Sequence, residues 1–150
     1  MSKTLIINPI KEEIYYTKFL IDGFADCEFL GRESLNETLT TEPDLISSVD
    51  ILIVAFNMKG FSALLEELQS ETNQIKTIIT FKQEESEAVE QHITYNPNIV
   101  TYCINGGDVA KLESSYRRLS KLQERTSKGA SYCRVRIDYF LKFSKVICDV

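Results

Sequence analysis

Few residues in this 150-residue chain have the type and spacing needed to hold a metal or form a covalent bond. The four cysteines are Cys27, Cys103, Cys133 and Cys148, and the single histidine is His92. No two cysteines have the Cys-x-x-Cys spacing of a zinc or redox site, and none lies at a metal-ligand spacing from the histidine. We therefore predict no metal site, and reduced thiols that are mostly buried as small apolar groups.

Sequence motifs that cradle phosphates or activate a nucleophile are also missing. The chain contains no Gly-x-Gly-x-x-Gly, no Walker loop and no Gly-x-Ser-x-Gly elbow. Gly106 and Gly107 precede a predicted helix, where backbone amides could approach an anion, and a simple turn is the alternative. His92 falls near the end of an acidic helix, where its ring can cap carbonyl groups. We expect a protein that is not an enzyme and uses no cofactor.

Charge is divided unevenly along the chain. Residues 1–110 contain 7 Lys and Arg against 18 Asp and Glu, whereas residues 111–150 contain 10 against 4. Because phosphate contacts supply most nucleic-acid affinity, the acidic part predicts no nucleic-acid binding. The basic part fits a solvated helix face, with a nucleic acid, a membrane or an acidic partner as alternatives. No apolar run approaches the roughly 20 residues that cross a bilayer and no signal peptide is evident, so we expect a cytoplasmic protein without membrane contact.

The elements that must position any site follow from the apolar pattern. Residues 51–55, Ile-Leu-Ile-Val-Ala, form the strongest buried-strand pattern, and helical periodicity follows it. We predict strands at residues 4–7, 24–30, 49–56, 75–81 and 99–104, and helices at residues 10–21, 61–68, 84–92 and 108–126, with a loop and a short helix from about residue 42. This alternation predicts an α/β fold with right-handed crossovers around a five-stranded, mainly parallel sheet.

The sequence changes character near residue 127. Residues 127–131 read Ser-Lys-Gly-Ala-Ser, which is typical of a hinge, and apolar residues alternate with polar ones from Cys133 onward. We predict one domain at residues 1–126, and at residues 127–150 a hinge and the start of a further β-containing element or second domain. The chain would then be a fragment of a larger protein.

Two segments resemble a known family. Residues 51–61 read Ile-Leu-Ile-Val-Ala-Phe-Asn-Met-Lys-Gly-Phe, and residues 102–112 read Tyr-Cys-Ile-Asn-Gly-Gly-Asp-Val-Ala-Lys-Leu. They resemble the strand-Asp-x-Asn-Met-Pro-Gly-Met and Tyr-x-x-Lys-Pro-Phe-Asp-x-x-x-Leu patterns of response-regulator receiver domains. The resemblance covers about residues 3–125. It implies the flavodoxin-like, doubly wound five-stranded parallel sheet of that family, here with a C-terminal extension.

The same resemblance puts substitutions at the family's functional positions. Ala55 replaces the aspartate that receives phosphate, and a methyl group cannot accept a phosphoryl group. Asn8 and Pro9 replace the acidic pair that holds Mg²⁺. Asn105 replaces the lysine that clamps the phosphoryl group, and the family's hydroxyl position at the end of the fourth strand falls on Thr80 or Phe81. With Thr80 at that position, we call Asn8, Pro9, Ala55, Thr80 and Asn105 the degenerate phosphorylation pocket.

The function that the resemblance implies is a pseudo-receiver, a regulatory or dimerisation module of a signalling protein that works without phosphorylation. In receivers the face of the fourth helix, fifth strand and fifth helix commonly mediates dimerisation, so we expect a homodimer through it. Here the acidic helix at residues 84–92 and the basic last helix would share this face, so that opposite charges meet across a two-fold axis. The candidate switch and interface residues, some of which must be core residues instead, are Tyr102, Val109, Leu112, Tyr116 and Leu119.

The segment from residue 132 onward is similar to the opening of bacterial signalling proteins in which such a domain precedes a cyclic-dinucleotide output domain of the HD-GYP or related type. The implied partner is then an output domain of the same chain. The alternative is a small-molecule-binding flavodoxin-like domain that uses the vacated pocket near Asn8, Ala55, Thr80 and Asn105. A minor enzyme would have only Thr80 as its nucleophile. Ligand-dependent thermal stabilisation would identify a binding module.

Overall fold

Five parallel strands form the centre of the molecule in the order β2-β1-β3-β4-β5. The computed structural model describes residues 2–70, 73–94 and 96–127, with side chains in these ranges as far as residue 122. Every pair of neighbouring strands is parallel. The predicted five-stranded parallel sheet is therefore confirmed. The strands are β1 (Ser2–Ile7), β2 (Cys27–Arg32), β3 (Ile51–Ala55), β4 (Thr77–Phe81) and β5 (Ile99–Cys103).

Helices cover both faces of the sheet. Residues of α1 and α6 share one apolar cluster, and residues of α2, α3 and α4 share the other. This is the doubly wound, flavodoxin-like arrangement that the sequence predicts. The helices are α1 (Lys11–Asp22), α2 (Leu35–Thr41), α3 (Leu45–Ser48), α4 (Phe61–Leu68), α5 (Ser86–His92), which a 3-10 turn (Gln83–Glu85) precedes, and α6 (Val109–Ser127).

The central strand β3 is apolar along its whole length because both of its sides are covered. Each of its five residues is at most 4% exposed. Leu52 and Val54 belong to the cluster with α4, whereas Ile51 and Ile53 belong to the cluster with α1 and α6. Successive strand residues point to opposite faces, so a strand between two helical layers needs an unbroken apolar run.

The strand β2 begins three residues later than the pattern predicts. The backbone amides of Phe24 and Ala25 donate to the carbonyl oxygen of Ile21 at 3.0 and 2.9 Å, so these residues close the end of α1. Phe24 still packs in the core, with its ring centroid 5.8 Å from that of Tyr116. Its apolar character therefore reflects helix-end packing and not a strand.

The helix α2 lies in the segment before residue 42, where the sequence pattern predicts a loop. The side-chain oxygen of Ser34 accepts a hydrogen bond from the amide of Glu37 at 3.2 Å and caps this helix. The sequence Ser34-Leu-Asn-Glu37 has the Ser-x-x-Glu spacing of a capping box, which is the signal that could have located α2. The short helix predicted near residue 42 corresponds to α3.

The last helix, α6, is longer than the strands of the sheet. Its 19 residues span about 28 Å at 1.5 Å per residue, whereas a strand of five or six residues spans about 16–20 Å. Asp108 begins the helix, because its carboxylate accepts a hydrogen bond from the amide of Ala110 at 3.0 Å. Ser127, the first residue of the predicted hinge, is still helical, and the rest of the hinge and the β element predicted after it lie outside the described residues.

The thiols Cys27 and Cys103 are free and partly exposed. The prediction of mostly buried thiols is wrong for these two because they lie on β2 and β5, the edge strands, where the helices cover less surface. Cys133 and Cys148 lie outside the described residues. In the part of the chain that the structure describes, no helix is long and apolar enough to cross a membrane.

Candidate functional site

Three residues of the degenerate phosphorylation pocket lie together at the carboxyl edge of the sheet. Asn8 follows the last residue of β1, Ile7, which pairs with Val54 of β3. Ala55 ends β3 and pairs with Thr80 of β4. The exposed fractions of Asn8, Ala55 and Thr80 are 3%, 4% and 4%. The parallel topology thus brings the three together as predicted, and it also buries them.

The residues after β1 do not fit the Mg²⁺ ion that receivers hold. The side-chain oxygen of Asn8 accepts a hydrogen bond from the amide of Ile10 at 2.9 Å, so it is used to shape its own turn. Pro9 is exposed and has no polar side-chain atom. Mg²⁺ is bound through carboxylates in near-octahedral geometry, and neither residue supplies one. Among the described residues, no three His, Cys, Asp or Glu side chains are grouped so that they could hold a metal ion.

Thr80 keeps a polar group in this buried place. Its carbonyl oxygen accepts a hydrogen bond from the amide of Phe56 at 2.8 Å, as the continuing ladder between β3 and β4 requires. Its side-chain hydroxyl has no hydrogen-bond partner within the described residues. Of the two residues at the end of β4, Thr80 pairs with Ala55 and carries the hydroxyl group.

Asn105 lies apart from the buried three. It is exposed, and its side-chain oxygen accepts hydrogen bonds from the amide of Gln83 at 2.9 Å and from the thiol of Cys103 at 3.5 Å. Its side chain therefore ties the segment after β5 to the segment after β4. Asn105 is thus exposed, whereas Asn8, Ala55 and Thr80 are buried.

An ion pair that the sequence did not predict bridges the same edge of the sheet. The ammonium nitrogen of Lys82 lies 3.6 Å from a carboxylate oxygen of Glu13, and their side chains are 32% and 21% exposed. Lys82 follows β4 and Glu13 lies in the first turn of α1, while β3 lies between β1 and β4 in the sheet. The pair thus joins elements on either side of the strand that ends at Ala55. Lys82 directly follows β4, and Glu13 lies in the helix that follows β1, so both come after the carboxyl end of a strand.

Four of the five candidate interface residues belong to the domain core. Leu112, Tyr116 and Leu119 are at most 3% exposed, and Tyr102 is 5% exposed. Their helical and strand spacing reflects packing against the sheet, so they are not available at a surface. Val109 is 42% exposed, and it alone of the five can contact a partner.

Tyr102 is held in the core by the turn that follows β5. Its hydroxyl donates to the carbonyl oxygen of Gly107 at 3.4 Å, and burial raises the pKa of Tyr102, with Tyr16 adding to the effect. A Cβ on Gly107 would lie 2.8 Å from a ring carbon of Tyr102, so the backbone can approach the ring only as glycine. The amide of Gly107 donates to the carbonyl oxygen of Cys103 at 2.8 Å. Of the two alternatives for the double glycine, the structure shows the turn.

His92 acts within its own helix. Its Nδ1 lies 2.8 Å from the carbonyl oxygen of Ala88 on the exposed side of α5. The predicted contact with helix carbonyls at the end of the acidic helix is confirmed.

A parallel sheet in the order 2-1-3-4-5, with polar residues at the carboxyl ends of β1 and β4, is the flavodoxin-like arrangement. Solved structures show the same fold. A signal receiver domain of a two-component histidine kinase from Clostridium thermocellum is 20% identical, with a TM-score of 0.58 over 80% of this chain and 98% of that one.

Two further solved structures agree. A response regulator receiver domain protein from Clostridium thermocellum is 17% identical, with a TM-score of 0.61 over 83% of this chain and 98% of that one. A CheY-like receiver domain from Methylobacillus flagellatus is 14% identical, with a TM-score of 0.56 over 79% and 98%. No protein-family model and no curated protein matches the sequence. The likeness is therefore one of fold, as the sequence resemblance predicts.

Proposed function

We propose that this domain is a pseudo-receiver, a regulatory module of a cytoplasmic signalling protein that works without phosphorylation and without catalysis of its own. The observation that carries the proposal is the buried group at the carboxyl edge of the sheet. Asn8, Ala55 and Thr80 meet where receivers hold Mg²⁺ and accept phosphate, and none of the three has a carboxylate.

The chemistry of phosphoryl transfer supports this proposal. Such a transfer needs an in-line nucleophile, a metal ion and positive charge on the phosphoryl oxygens. The side chain of Ala55 has no nucleophilic atom, and the side-chain oxygen of Asn8 accepts a hydrogen bond from the amide of Ile10. Lys82, the cation that follows β4, is paired with Glu13.

Contacts within the chain also tie down the loops at this edge without a ligand. Asn105 connects the segments after β4 and β5 through the amide of Gln83 at 2.9 Å. The pair of Lys82 and Glu13 connects the segment after β4 to α1. These contacts join the segment after β4 both to the segment after β5 and to α1.

The proposed mode of action is association through the face of α5, β5 and α6. β5 is an edge strand of the sheet. Ile93, at the end of α5, packs with the apolar cluster on the face that α4 covers, whereas α6 packs with the cluster on the other face. The two helices therefore flank β5. Exposed acidic residues lie on one helix segment and exposed basic residues on the other, which suits a two-fold pairing. They are Glu84, Glu87 and Glu90 on the first, and Lys111, Arg117, Arg118 and Lys121 on α6.

Light scattering over a concentration series, with and without Mg²⁺ and beryllofluoride, tests the proposal. We expect a dimer whose mass and dissociation constant do not change when the phosphoryl mimic is added. A receiver with an intact aspartate, measured in parallel, is the positive control. A monomer that dimerises only with the mimic would show that Ala55, Asn8 and Asn105 are wrongly aligned with the family's site.

The proposal also includes an output domain after residue 126, of the cyclic-dinucleotide HD-GYP or related type. The support is the similarity of residues 132–150 to the opening of such proteins. The coding sequence that follows Val150 in the gene tests this part. A downstream output domain supports it, and a stop codon contradicts it.

A small-molecule site at the carboxyl edge is the second candidate function. The observation in its favour is the buried hydroxyl of Thr80, which has no side-chain hydrogen bond among the described residues. A screen for compounds that raise the melting temperature tests it, with Thr80→Val as the variant that should lose the response.

A further inference from the structure

We propose that a groove between α1 and the edge strand β2 binds a small organic anion that has a flat apolar body. The groove has a volume of about 430 Å³, which lies within the roughly 300–1,000 Å³ typical of ligand sites in proteins. It is on the opposite edge of the sheet from β5. The groove is therefore separate from the proposed dimer face. None of the five residues of the degenerate phosphorylation pocket lines it, and the amide of Asn8 donates to the carbonyl oxygen of Arg32, a lining residue, at 3.0 Å.

The groove has an apolar floor. Ile6, Ile14 and Phe29, which belong to the apolar cluster of α1, line it. The helix α1 approaches β2 closely at Gly31. A Cβ at this glycine would lie 2.9 Å from a methyl carbon of Ile14. This surface can take the apolar body of a ligand out of water.

Two ammonium groups lie over aromatic rings along the groove. The nitrogen of Lys11 is 5.8 Å from the ring centroid of Tyr15, and that of Lys18 is 5.8 Å from the ring centroid of Phe29. Neither lysine forms an ion pair with any residue in the described ranges. Seven residues apart on one helix, they are separated by about 10 Å along its axis. Both charges are thus available to an anion.

The other charged residues of the groove do not neutralise these lysines. Arg32 donates two hydrogen bonds to the carboxylate of Glu42, at 2.7 and 2.8 Å, so its charge is already matched. Glu33 is the one carboxylate among the residues that line the groove. The lining therefore keeps an excess of positive charge in the acidic part of the chain, where residues 1–110 contain 7 basic and 18 acidic residues.

These features define the class of ligand. An anionic group would lie beside Lys11 or Lys18 as a charge-assisted partner, and a flat ring would stack on Tyr15, which is 60% exposed. A neutral or cationic compound lacks the first interaction. A purely aliphatic anion lacks the second.

The probe is 2-naphthoate, titrated into the whole chain while backbone amide chemical shifts are recorded. We expect saturable shifts concentrated in α1 and β2, and binding about fivefold or more weaker for the neutral 2-naphthamide. A parallel titration with adenosine monophosphate distinguishes an aromatic carboxylate ligand from a nucleotide by which of the two binds more tightly. Shifts that saturate at Ala55 and Thr80 instead, or no saturable shifts with either anion, would overturn the inference.

The variant K11Q/K18Q removes both charges at exposed or partly exposed positions and should weaken naphthoate binding about tenfold, or about 1.4 kcal/mol. K59Q/K111Q, which removes two exposed lysines elsewhere, is the matched control and should change the dissociation constant less than about twofold. A second variant, Tyr15→Ala, tests the stacking surface and should also weaken binding. Equal affinity of K11Q/K18Q and the unaltered protein would contradict the proposal.

Discussion

At the scale of single residues, the clearest dependence of the fold on one polar contact is at Tyr116. Its hydroxyl lies 2.9 Å from the side-chain oxygen of Thr4, which is fully buried. The hydroxyl of Ser2 is a weaker neighbour at 3.4 Å. Burial, the largest cause, raises the pKa of Tyr116. This contact ties α6 to β1, which are more than 100 residues apart in the chain.

The change Tyr116→Phe should lower the free energy of unfolding by about 1–2 kcal/mol, because the Thr4 hydroxyl then has no tyrosine partner in the core. Urea denaturation with a fluorescence or circular dichroism readout measures the difference. Tyr15→Phe, at a residue 60% exposed, is the control and should have little effect. Equal stability of both variants would show that the Thr4 contact contributes nothing.

Glu67 gives a pH dependence whose sign follows from its position on α4. Burial, and secondarily Glu66, raises the pKa of the Glu67 carboxyl. A folded-state pKa above the unfolded value favours folding at pH below the unfolded value, and this contribution is lost as the pH rises through the folded value. The charged carboxylate therefore opposes folding at pH 7.

Glu67→Gln should accordingly raise the melting temperature at pH 7, and the gain should shrink as the pH falls through the raised folded-state pKa and be absent below about 4. Differential scanning calorimetry across this range measures it. Glu28→Gln, at an exposed position on β2, provides the comparison. A gain that stays constant with pH would argue against burial of the charged form as its cause.

At the scale of elements, the start of α4 depends on one glycine. Gly60 has φ of 86° and is the residue before the helix. A Cβ there would collide with the side chain of Asn36 on α2. The left-handed backbone favours glycine at this position, and a Cβ there would also displace the exposed side chain of Asn36.

Gly60→Ala should cost about 1–2 kcal/mol of stability from the left-handed backbone alone, and more from the collision with Asn36. Asn36 is exposed, so Asn36→Ala should be nearly neutral by itself. In a double-mutant cycle, Asn36→Ala should recover the part due to the collision and leave the part due to the backbone. Chemical denaturation of the four proteins gives both parts, and full recovery would mean that the backbone conformation carries no cost.

At the scale of the whole molecule, the distribution of charge suggests how two copies would meet. The exposed acidic residues near α5 and the exposed basic residues of α6 flank the edge strand β5. Arg117 already pairs with Glu113 within α6 at 2.9 Å, and its side chain is 62% exposed. Such exposed pairs set the register of an interface more than its strength.

The charge reversal R117E/R118E should therefore weaken the proposed dimer, and the dimer of the unaltered chain should weaken as salt is added. Sedimentation velocity or light scattering over a concentration series measures both effects. Lys59→Glu reverses an exposed charge in the loop before α4 and should leave the dissociation constant unchanged. A dimer that is indifferent to R117E/R118E would place the interface elsewhere.

Most of the fold follows from local pattern, because the spacing of apolar residues records which faces of a strand or helix are buried. The unbroken run of β3 and the helical faces of α1, α4 and α6 were predictable for this reason. The seven-residue helix α2 was missed because it is too short for periodicity to be evident, and only its Ser34 cap marks it. The meeting of Asn8, Ala55 and Thr80 was also predictable, since parallel strands end at one edge of the sheet.

What the tertiary structure alone decided are the contacts between residues far apart in the chain. Apolar periodicity does not tell whether Leu112, Tyr116 and Leu119 face the sheet of their own domain or a second copy, because both surfaces are apolar. It equally gives no distance between Lys82 and Glu13, or between α1 and the edge strand β2. These depend on how helices pack across the sheet, which the sequence encodes only through the whole set of contacts. The sequence by itself thus determined the parallel sheet and the absence of a carboxylate at Asn8, Pro9 and Ala55. The packing of the helices decided which side chains are buried, which are paired and where a groove remains.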